Sequence, residues 1–291
     1  MNAVTKPDLR PANVAIITVS YNSSAQLDQF LLSATVTVNS PQQILIVDNA
    51  STDLETTRAV AKTHGVRLLE LGENRGYGGA VNAGAATLAP AFEFIVVANP
   101  DLLFTPDAVA LLVSAAEANP QIASTGPRVL NVDGTTYPSA RAIPSLRVGV
   151  GHALFANVWP RNPWTRAYHS DVTSRSEQSP VGWLSGSCLC VRRTAFNAVG
   201  GFDEGFFMYF EDVDLGYRFG KANFTNVFVP DAAVTHIGGV STAAHSTAML
   251  RVHHDSAYRF LAKKYSGPLL SPLRWALRIA LTARIALAKQ K

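Results

Sequence analysis

Phe94-Ile95-Val96-Val97-Ala98-Asn99-Pro100-Asp101 is the stretch on which the fold turns. Its apolar run is too short for a helix and shows no polar alternation, so it suits a strand buried on both faces, as in a parallel sheet. The run stops at polar positions, and Pro100 fixes the backbone just before a carboxylate. The same design recurs upstream. Val14–Val19 ends in Ser20-Tyr21-Asn22, and Ile44–Val47 ends in Asp48-Asn49; Val66–Leu71 and, more weakly, Ile122–Val129 are further apolar runs. Helical segments lie between them. Leu27, Phe30 and Leu31 share a face within Ser24–Ser33, Asp53 stands where it can cap a segment reaching Lys62, and Pro106 sits where the first turn of Asp107–Ala118 would begin. Strands alternating with helices predict an α/β chain with a doubly wound, Rossmann-like half. Ligands in such sheets bind beyond the carboxyl ends of the strands, where these polar residues stand.

The remainder of the chain changes character. Pro138, Pro144, Pro160, Pro163 and Pro180, with Trp159 and Trp164, predict a long irregular excursion over 131–180. Val181–Val191 resumes a strand pattern, Glu211–Lys221 reads as a helix, Asn226–His236 as two short extended pieces, and the chain from Ser246 onward as helical. At 291 residues the chain can bury a large core, and with 16% charged residues it is not a disordered sequence. Its two cysteines, Cys188 and Cys190, are too few for a disulfide framework or a structural zinc site and read as buried thiols. No apolar run reaches membrane-spanning length and the polar N-terminus does not read as a secretory signal, so the expected compartment is cytoplasmic.

Several constellations carry chemistry. Asn99-Pro100-Asp101 is strong turn chemistry, and equally a rigid carboxylate for a hard divalent cation. Asp48-Asn49 can accept from a ribose or base N–H, or simply form an Asx-turn. Asn74-Arg75-Gly76-Tyr77-Gly78-Gly79-Ala80-Val81-Asn82 follows a strand and opens a helix, as a phosphate-binding turn should. It lacks the third glycine of the dinucleotide fingerprint, which argues against a nicotinamide enzyme. From Asp203 to Asp214 five carboxylates (Asp203, Glu204, Glu211, Asp212, Asp214) are interleaved with aromatic residues. Crowding and burial raise a carboxylate pKa toward the range of a general base, whereas a helix N-terminus lowers it; the sequence leaves that balance open. His236 follows an apolar stretch, where an imidazole can serve a metal or the structure alone.

The order of these pieces resembles the inverting family 2 glycosyltransferases. They are Val-Ser-Tyr-Asn at 19–22, Val-Asp-Asn-Ala-Ser-Thr-Asp at 47–53, the glycine-rich 74–82, Ala-Asn-Pro-Asp at 98–101, the acidic 200–215 and His236. Three further stretches, Tyr137–Arg141, Trp159–Thr165 and Val181–Cys188, are similar to the branch that moves L-rhamnose from dTDP-L-rhamnose to GlcNAc-diphospho-decaprenol in actinobacterial cell-wall linkage synthesis. The resemblance implies a GT-A fold: a nucleotide-sugar half at 13–130 joined through a mixed central sheet to an acceptor half at 131–265. A flexible N-terminus at 1–12 and a basic amphipathic helix at 266–291 flank them.

Roles follow from the same resemblance. Thr18, Ser20, Asn22, Asp48, Asn49, Arg75, Gly76, Gly79, Asn82, Asn99 and Asp101 would bind the donor. Asp101 matches the last Asp of the family's Asp-x-Asp metal motif, Asn99 replaces the first, and His236 would complete the shell of Mn²⁺ or Mg²⁺. Asp212 matches the catalytic base, with Glu211 as the second candidate. Trp183, Ser185, Gly186 and Asp203 would border the acceptor, with the Trp183 ring as a stacking face for a sugar.

The charge distribution bears on location. Residues 251–291 hold nine Lys/Arg and one acid, Asp255, so the tail carries +8 and the rest of the chain −4. Such a tail suits the anionic inner face of the plasma membrane, where a polyprenyl-linked acceptor resides; a basic helix packed on the body is the alternative. No groove-reading motif points to nucleic acid, and a homodimer stays open. Two other readings stand beside the transferase of this branch: a transferase for another polyprenyl-linked glycan, and a catalytically silent nucleotide-sugar binding protein.

Overall fold

The structure is a computed structural model that describes residues 10–148, 159, 162–164, 173, 175–238 and 247–288. Pro160, Arg161 and Thr165 of the Trp159–Thr165 stretch, Gly239 and the last three residues of the basic tail lie outside the described residues.

The N-terminal half follows the sequence pattern. Strands β1 (Val14–Ser20), β2 (Ile44–Asp48), β3 (Arg67–Glu70) and β4 (Phe94–Ala98) are parallel in the order β3-β2-β1-β4. Helices α1 (Ser24–Thr35), α2 (Leu54–His64) and α3 (Gly76–Ala86) connect them. β1, β2 and β4 are buried along their whole length because both faces are covered, whereas the edge strand β3 is partly open and carries Arg67 and Glu70. Ile16, Ile44, Ile46 and Phe94 pack on one side with Leu27, Phe30 and Leu31 of α1. Ile17, Leu45, Val47 and Val97 pack on the other with Ala80, Val81 and Ala85 of α3. Burying each large apolar side chain contributes about 1.5–3 kcal/mol. The α3 layer depends on close approach: a Cβ at Gly84 would stand 2.7 Å from Val47 Cγ2.

The second half mixes directions. Beyond β4 the sheet continues with β11 (Cys188–Arg192), β6 (Ile122–Asn131), β12 (Thr225–His236) and β5 (Leu102–Phe104). β11 inserts antiparallel between β4 and β6, so Ile122–Val129 does not extend the parallel run directly. β12 runs parallel to β6 and antiparallel to β5, with a register break between Val229 and Ala233 that makes two extended pieces of one strand. Helix α4 (Ala108–Glu117) covers this region. Short strands β7 (Thr136–Tyr137) and β9 (Ser179–Val181) pair antiparallel with β6 and β12, while β8 (Ala140–Arg141) pairs with β10 (Trp183–Leu184) apart from the main sheet. Cys188 and Cys190 are buried free thiols on one face, as their spacing predicts.

Helices α5 (Arg193–Ala198), α6 (Glu211–Lys221), α7 (Thr247–Lys264) and α8 (Ser271–Ala288) complete the described chain, with a 3₁₀ turn at Pro268–Leu270. The 130/131 division falls at the end of β6, and the 265/266 division just after α7. Residues 10–12 are tied down within the expected flexible N-terminus: Arg10 Nη1 donates to Val38 O at 3.3 Å and Gln43 Nε2 donates to Pro11 O at 3.0 Å.

Asp53 differs from its expected role. It occupies the N-cap position of α2 without a side-chain cap bond, and its Oδ2 instead accepts the Ser24 N–H, 3.0 Å away at the start of α1. The carboxylate caps the neighbouring helix because the Asp48–Asp53 loop brings it there.

Candidate active site

The strand ends converge as expected, but a turn that the sequence reading treated as an acceptor border is what joins them. Ser185-Gly186-Ser187 connects β10 to β11. Asn99 N donates to Ser187 O at 2.8 Å, which ties the end of β4 to the turn. Gly186 N donates to Asp212 Oδ2 at 2.8 Å, and Tyr77 Oη donates to Gly186 O at 2.6 Å. One turn thus holds the metal-motif strand, the start of α3 and the start of α6.

Glu211 and Asp212 open α6. Asp212 is partly exposed, and its Oδ1 also accepts the Val213 N–H at 2.8 Å. Glu211 is buried, and its Oε2 has no hydrogen-bond partner among the described residues. Burial, then the Asp212 charge, pushes the Glu211 carboxyl up to about 8 against the pull of its own backbone N–H. Burial also raises Asp212, outweighing the bonds from Gly186 and Val213. Desolvation and crowding therefore prevail over the helix N-terminus. Just upstream, Tyr209 and Phe210 both take left-handed backbone, at φ 68° and 65°, a strained conformation for side chains of this size. Helix α7 braces that turn: the His253 ring lies 5.3 Å from Tyr209 and 5.4 Å from Phe210, and Ser256 Oγ donates to Met208 O at 2.8 Å.

Asp101 follows β4, and the antiparallel β5–β12 pair brings His236 beside it. His236 Nε2 lies 3.1 Å from Asp101 Oδ1, and both side chains are largely buried. Among the described residues no group of three or more His, Cys, Asp or Glu could hold a metal ion. One carboxylate and one imidazole suit a hard cation that takes the rest of its shell from substrate phosphates.

Several of the expected donor residues hold bonds within the fold. Asn49 donates through Nδ2 to Asn74 Oδ1 at 2.9 Å and accepts Arg75 N at 2.9 Å, so it builds the glycine-rich turn. Asn82 donates to Phe202 O at 2.9 Å and Glu204 Oε1 at 3.0 Å and accepts Phe202 N at 2.9 Å, so it anchors the acidic segment. Asn22 Oδ1 accepts from Thr52 N and Oγ1 at 2.8 and 2.9 Å. Thr18 and Ser20 are buried, and Ser20 Oγ lies 3.0 Å from Ser23 Oγ. The N-terminus of α3 is not an open phosphate cradle either: Tyr77 N donates to Phe207 O at 3.1 Å. Gly76, at φ +70°, allows this approach, since a Cβ there would stand 2.3 Å from that oxygen. Gly79 is buried against the Arg75 side chain. Among the donor candidates, Arg75 is exposed, Asn99 and Asp101 are partly exposed, and Asp48 Oδ2 is buried without a hydrogen-bond partner among the described residues.

The acceptor candidates also hold bonds within the fold. Asp203 accepts from Arg259 Nη2 at 2.9 Å and Lys263 Nζ at 3.0 Å on α7. Burial works to raise it, but Lys263, the Gly205 N–H and Arg259 prevail and hold it at about 2. Ser185 Oγ donates to Ser187 Oγ at 3.0 Å and accepts Ser187 N at 3.2 Å, so it stabilises the turn. Trp183 packs with Phe206, Val213 and Phe260, and its indole N–H donates to Ala142 O at 3.2 Å, leaving part of the ring open. Sequence reasoning gave no role to Tyr77 or to the α7 brace. The signal for Tyr77 was its position as the single large side chain within Gly76–Ala80; nothing in the sequence pointed to the brace.

Part of the tail's charge meets the body and part meets the tail itself. Arg259 and Lys263 pair with Asp203, and Lys264 Nζ donates to Pro144 O at 2.6 Å. Arg274 Nη1 donates to Tyr265 O and Gly267 O at 2.8 Å, and Arg278 lies 5.4 Å over the Tyr258 ring. Leu269, Trp275 and Ile279 remain exposed at 93, 67 and 65%. Among the described residues no helix is long and apolar enough to cross a membrane.

Comparison with known proteins places these features in context. Residues 15–200 match the model described as glycosyl transferase family 2. The N-acetylglucosaminyl-diphospho-decaprenol L-rhamnosyltransferase of Mycobacterium tuberculosis is 45% identical over 278 residues, 92% of this chain and 90% of that protein. Among solved structures, the mannosyltransferase PcManGT from Pyrobaculum calidifontis, in complex with GDP-Man and Mn²⁺, superimposes with a TM-score of 0.60 at 17% identity, over 98% of this chain and 78% of that one. GalNAc-T7 with UDP, GalNAc and Mn²⁺ gives 0.61 at 16% identity, over 97 and 57%.

Proposed function

The chain belongs to glycosyl transferase family 2 and has a GT-A fold, and from that premise we propose that it transfers L-rhamnose from dTDP-L-rhamnose to the GlcNAc of a diphospho-polyprenol such as decaprenol. The substrate class rests on the 45% identity to the mycobacterial enzyme across nearly the whole of both chains. The observation that carries the mechanism is the Gly186 turn, which binds Asp212 on one side and the Asn99 strand end on the other.

Transfer is a single displacement. Asp212 takes the proton of an acceptor hydroxyl as that oxygen bonds to C1 of the rhamnosyl group. The bond from C1 to the diphosphate breaks on the opposite face, its electron pair leaves with the diphosphate, and the configuration inverts. Glu211, raised beside Asp212, keeps the pair from carrying two full charges at neutral pH. Arg75 is exposed where it can meet the diphosphate. Asp101 and His236 would hold Mn²⁺ or Mg²⁺ with substrate oxygens completing the shell. The chemistry such an ion supplies when bound is neutralisation of charge on the leaving diphosphate. Residues 13–130 serve the donor and 131–265 the acceptor.

The enzyme works at the cytoplasmic face of the plasma membrane as a peripheral protein. Leu269, Trp275 and Ile279 are exposed beside the cations of α8, a pairing that suits an anionic lipid interface.

Thermal unfolding with dTDP, UDP and GDP, each with and without Mn²⁺, tests the donor assignment. Ligand at a hundred times Kd stabilises by about 2.7 kcal/mol, a shift of several degrees. The expected result is a shift with dTDP that Mn²⁺ enlarges, the enlargement being lost in Asp101→Ala. A preference for UDP would keep the mechanism and overturn the rhamnosyl donor.

A further inference from the structure

Tyr77 is bonded to both segments that set the position of Asp212. Its backbone N–H donates at 3.1 Å to the carbonyl of Phe207, in the turn that leads into α6. Its hydroxyl donates at 2.6 Å to the carbonyl of Gly186, whose own N–H donates at 2.8 Å to Asp212 Oδ2. The turn also lies against both side chains: a Cβ on Gly186 would be in van der Waals contact with Tyr77 Cε1 and Asp212 Cβ, each 3.5 Å away. The flanking residues of the turn are fixed independently, Ser185 N by Ser139 O at 2.7 Å and Ser187 O by Asn99 N at 2.8 Å. The Gly186 carbonyl is the group that Tyr77 fixes.

We propose that Tyr77 is a positioning residue for the transfer reaction, acting through Gly186 to hold the Asp212 carboxylate in its working orientation. The inference rests on the reading of Asp212 as the base. Burial, then Glu211, Cys188, Asp212 and Asp101 around it, raises the phenol well above its ordinary value, so the hydroxyl remains a donor throughout the neutral range. Without that donor the peptide that carries the Gly186 carbonyl loses its side-chain anchor beside two carboxylates, and the adjoining peptide, whose N–H is aimed at Asp212, shifts with it only through the Gly186 Cα torsions. The nucleotide site does not depend on the hydroxyl, because the phenol contacts the turn and the helix backbone makes the other bond. Loss of the hydroxyl therefore affects the chemical step more than donor binding.

Single-turnover transfer by the native protein, Tyr77→Phe, Asp212→Asn and the double variant tests this. Tyr77→Phe keeps the ring and its packing, and thermal unfolding of each variant verifies the fold. The hydroxyl's removal should lower the transfer rate about tenfold and leave the donor KM within about twofold, the size expected for one hydrogen bond. In the Asp212→Asn background the same removal should cost nothing further, since its effect passes through the carboxylate. An equal loss in both backgrounds, or a native-like rate in Tyr77→Phe while Asp212→Asn is impaired, overturns the role of Tyr77 alone. A native-like rate in Asp212→Asn overturns the base assignment, and this inference with it.

Discussion

Lys263 Nζ lies 2.7 Å from Asp214 Oδ1, so the helix that begins the basic tail is ion-paired to the helix that carries the candidate base. Asp214 is fully buried, and its other oxygen accepts from Arg218 Nε at 2.6 Å. Lys263 also reaches Asp203. Lys263→Met removes two pairings and leaves Asp214 half-compensated inside the protein. Stability should fall by about 2 kcal/mol, below the usual loss for a broken buried pair because Arg218 remains. Equilibrium urea unfolding measures it.

Asp53→Ala separates two accounts of one carboxylate. Its Oδ2 accepts the Ser24 N–H at the start of α1. The substitution should cost about 1 kcal/mol, as loss of a capping interaction does. Hydrogen exchange locates the effect: faster exchange of the Ser24 amide and the first turn of α1, with the first turn of α2 unchanged.

The raised pair at the start of α6 makes both activity and stability depend on pH. A base must be deprotonated, so the transfer rate should climb with pH through the apparent pKa of the pair. The stability effect has the opposite sign. A carboxyl whose folded pKa is raised holds its proton longer than in the unfolded chain, so stability declines as pH rises from the ordinary carboxylate range toward about 8, the Glu211 value. Glu211→Gln removes the titrating group, so its stability relative to the native protein should rise as pH climbs toward about 8, with little pH dependence of the difference near pH 4. Asp203, held at about 2, works the other way: its contribution is present above the unfolded value and is lost as pH falls through about 2. Thermal melts across pH resolve the two.

The exposed face of α8 predicts lipid dependence. Trp275→Ser with Ile279→Ser should reduce co-sedimentation with anionic vesicles at least about tenfold, since two large apolar side chains each contribute about 1.5–3 kcal/mol on burial. Transfer to a water-soluble acceptor analogue should be unchanged.

The strand runs were legible because a strand covered on both faces carries one signal, uninterrupted apolarity, and the structure reproduces Val14–Val19, Ile44–Val47 and Phe94–Ala98 within a residue. Glu211–Lys221 was legible too, bounds included. Polar residues at the strand ends were harder to read. Asn49, just past β2, and Asn82, within α3, stand where ligand contacts are expected, and their amide oxygens accept from the Arg75 and Phe202 backbone, partners that only the tertiary fold brings near. The same holds for Asp203, whose partners lie on α7, far along the chain. An amide or carboxylate at a strand end has the same sequence signature whether it holds a ligand or a loop. Tyr77 escaped for the complementary reason. Its bond is to a backbone carbonyl, which leaves no mark in sequence.

The most direct test is single-turnover transfer of L-rhamnose from dTDP-L-rhamnose to a GlcNAc-diphospho-polyprenol acceptor by Asp212→Asn beside the native protein, with dTDP affinity measured in parallel. A positioned base contributes about a hundred- to ten-thousandfold. The account predicts a loss in that range with dTDP affinity preserved; turnover near the native rate by the folded variant would contradict it.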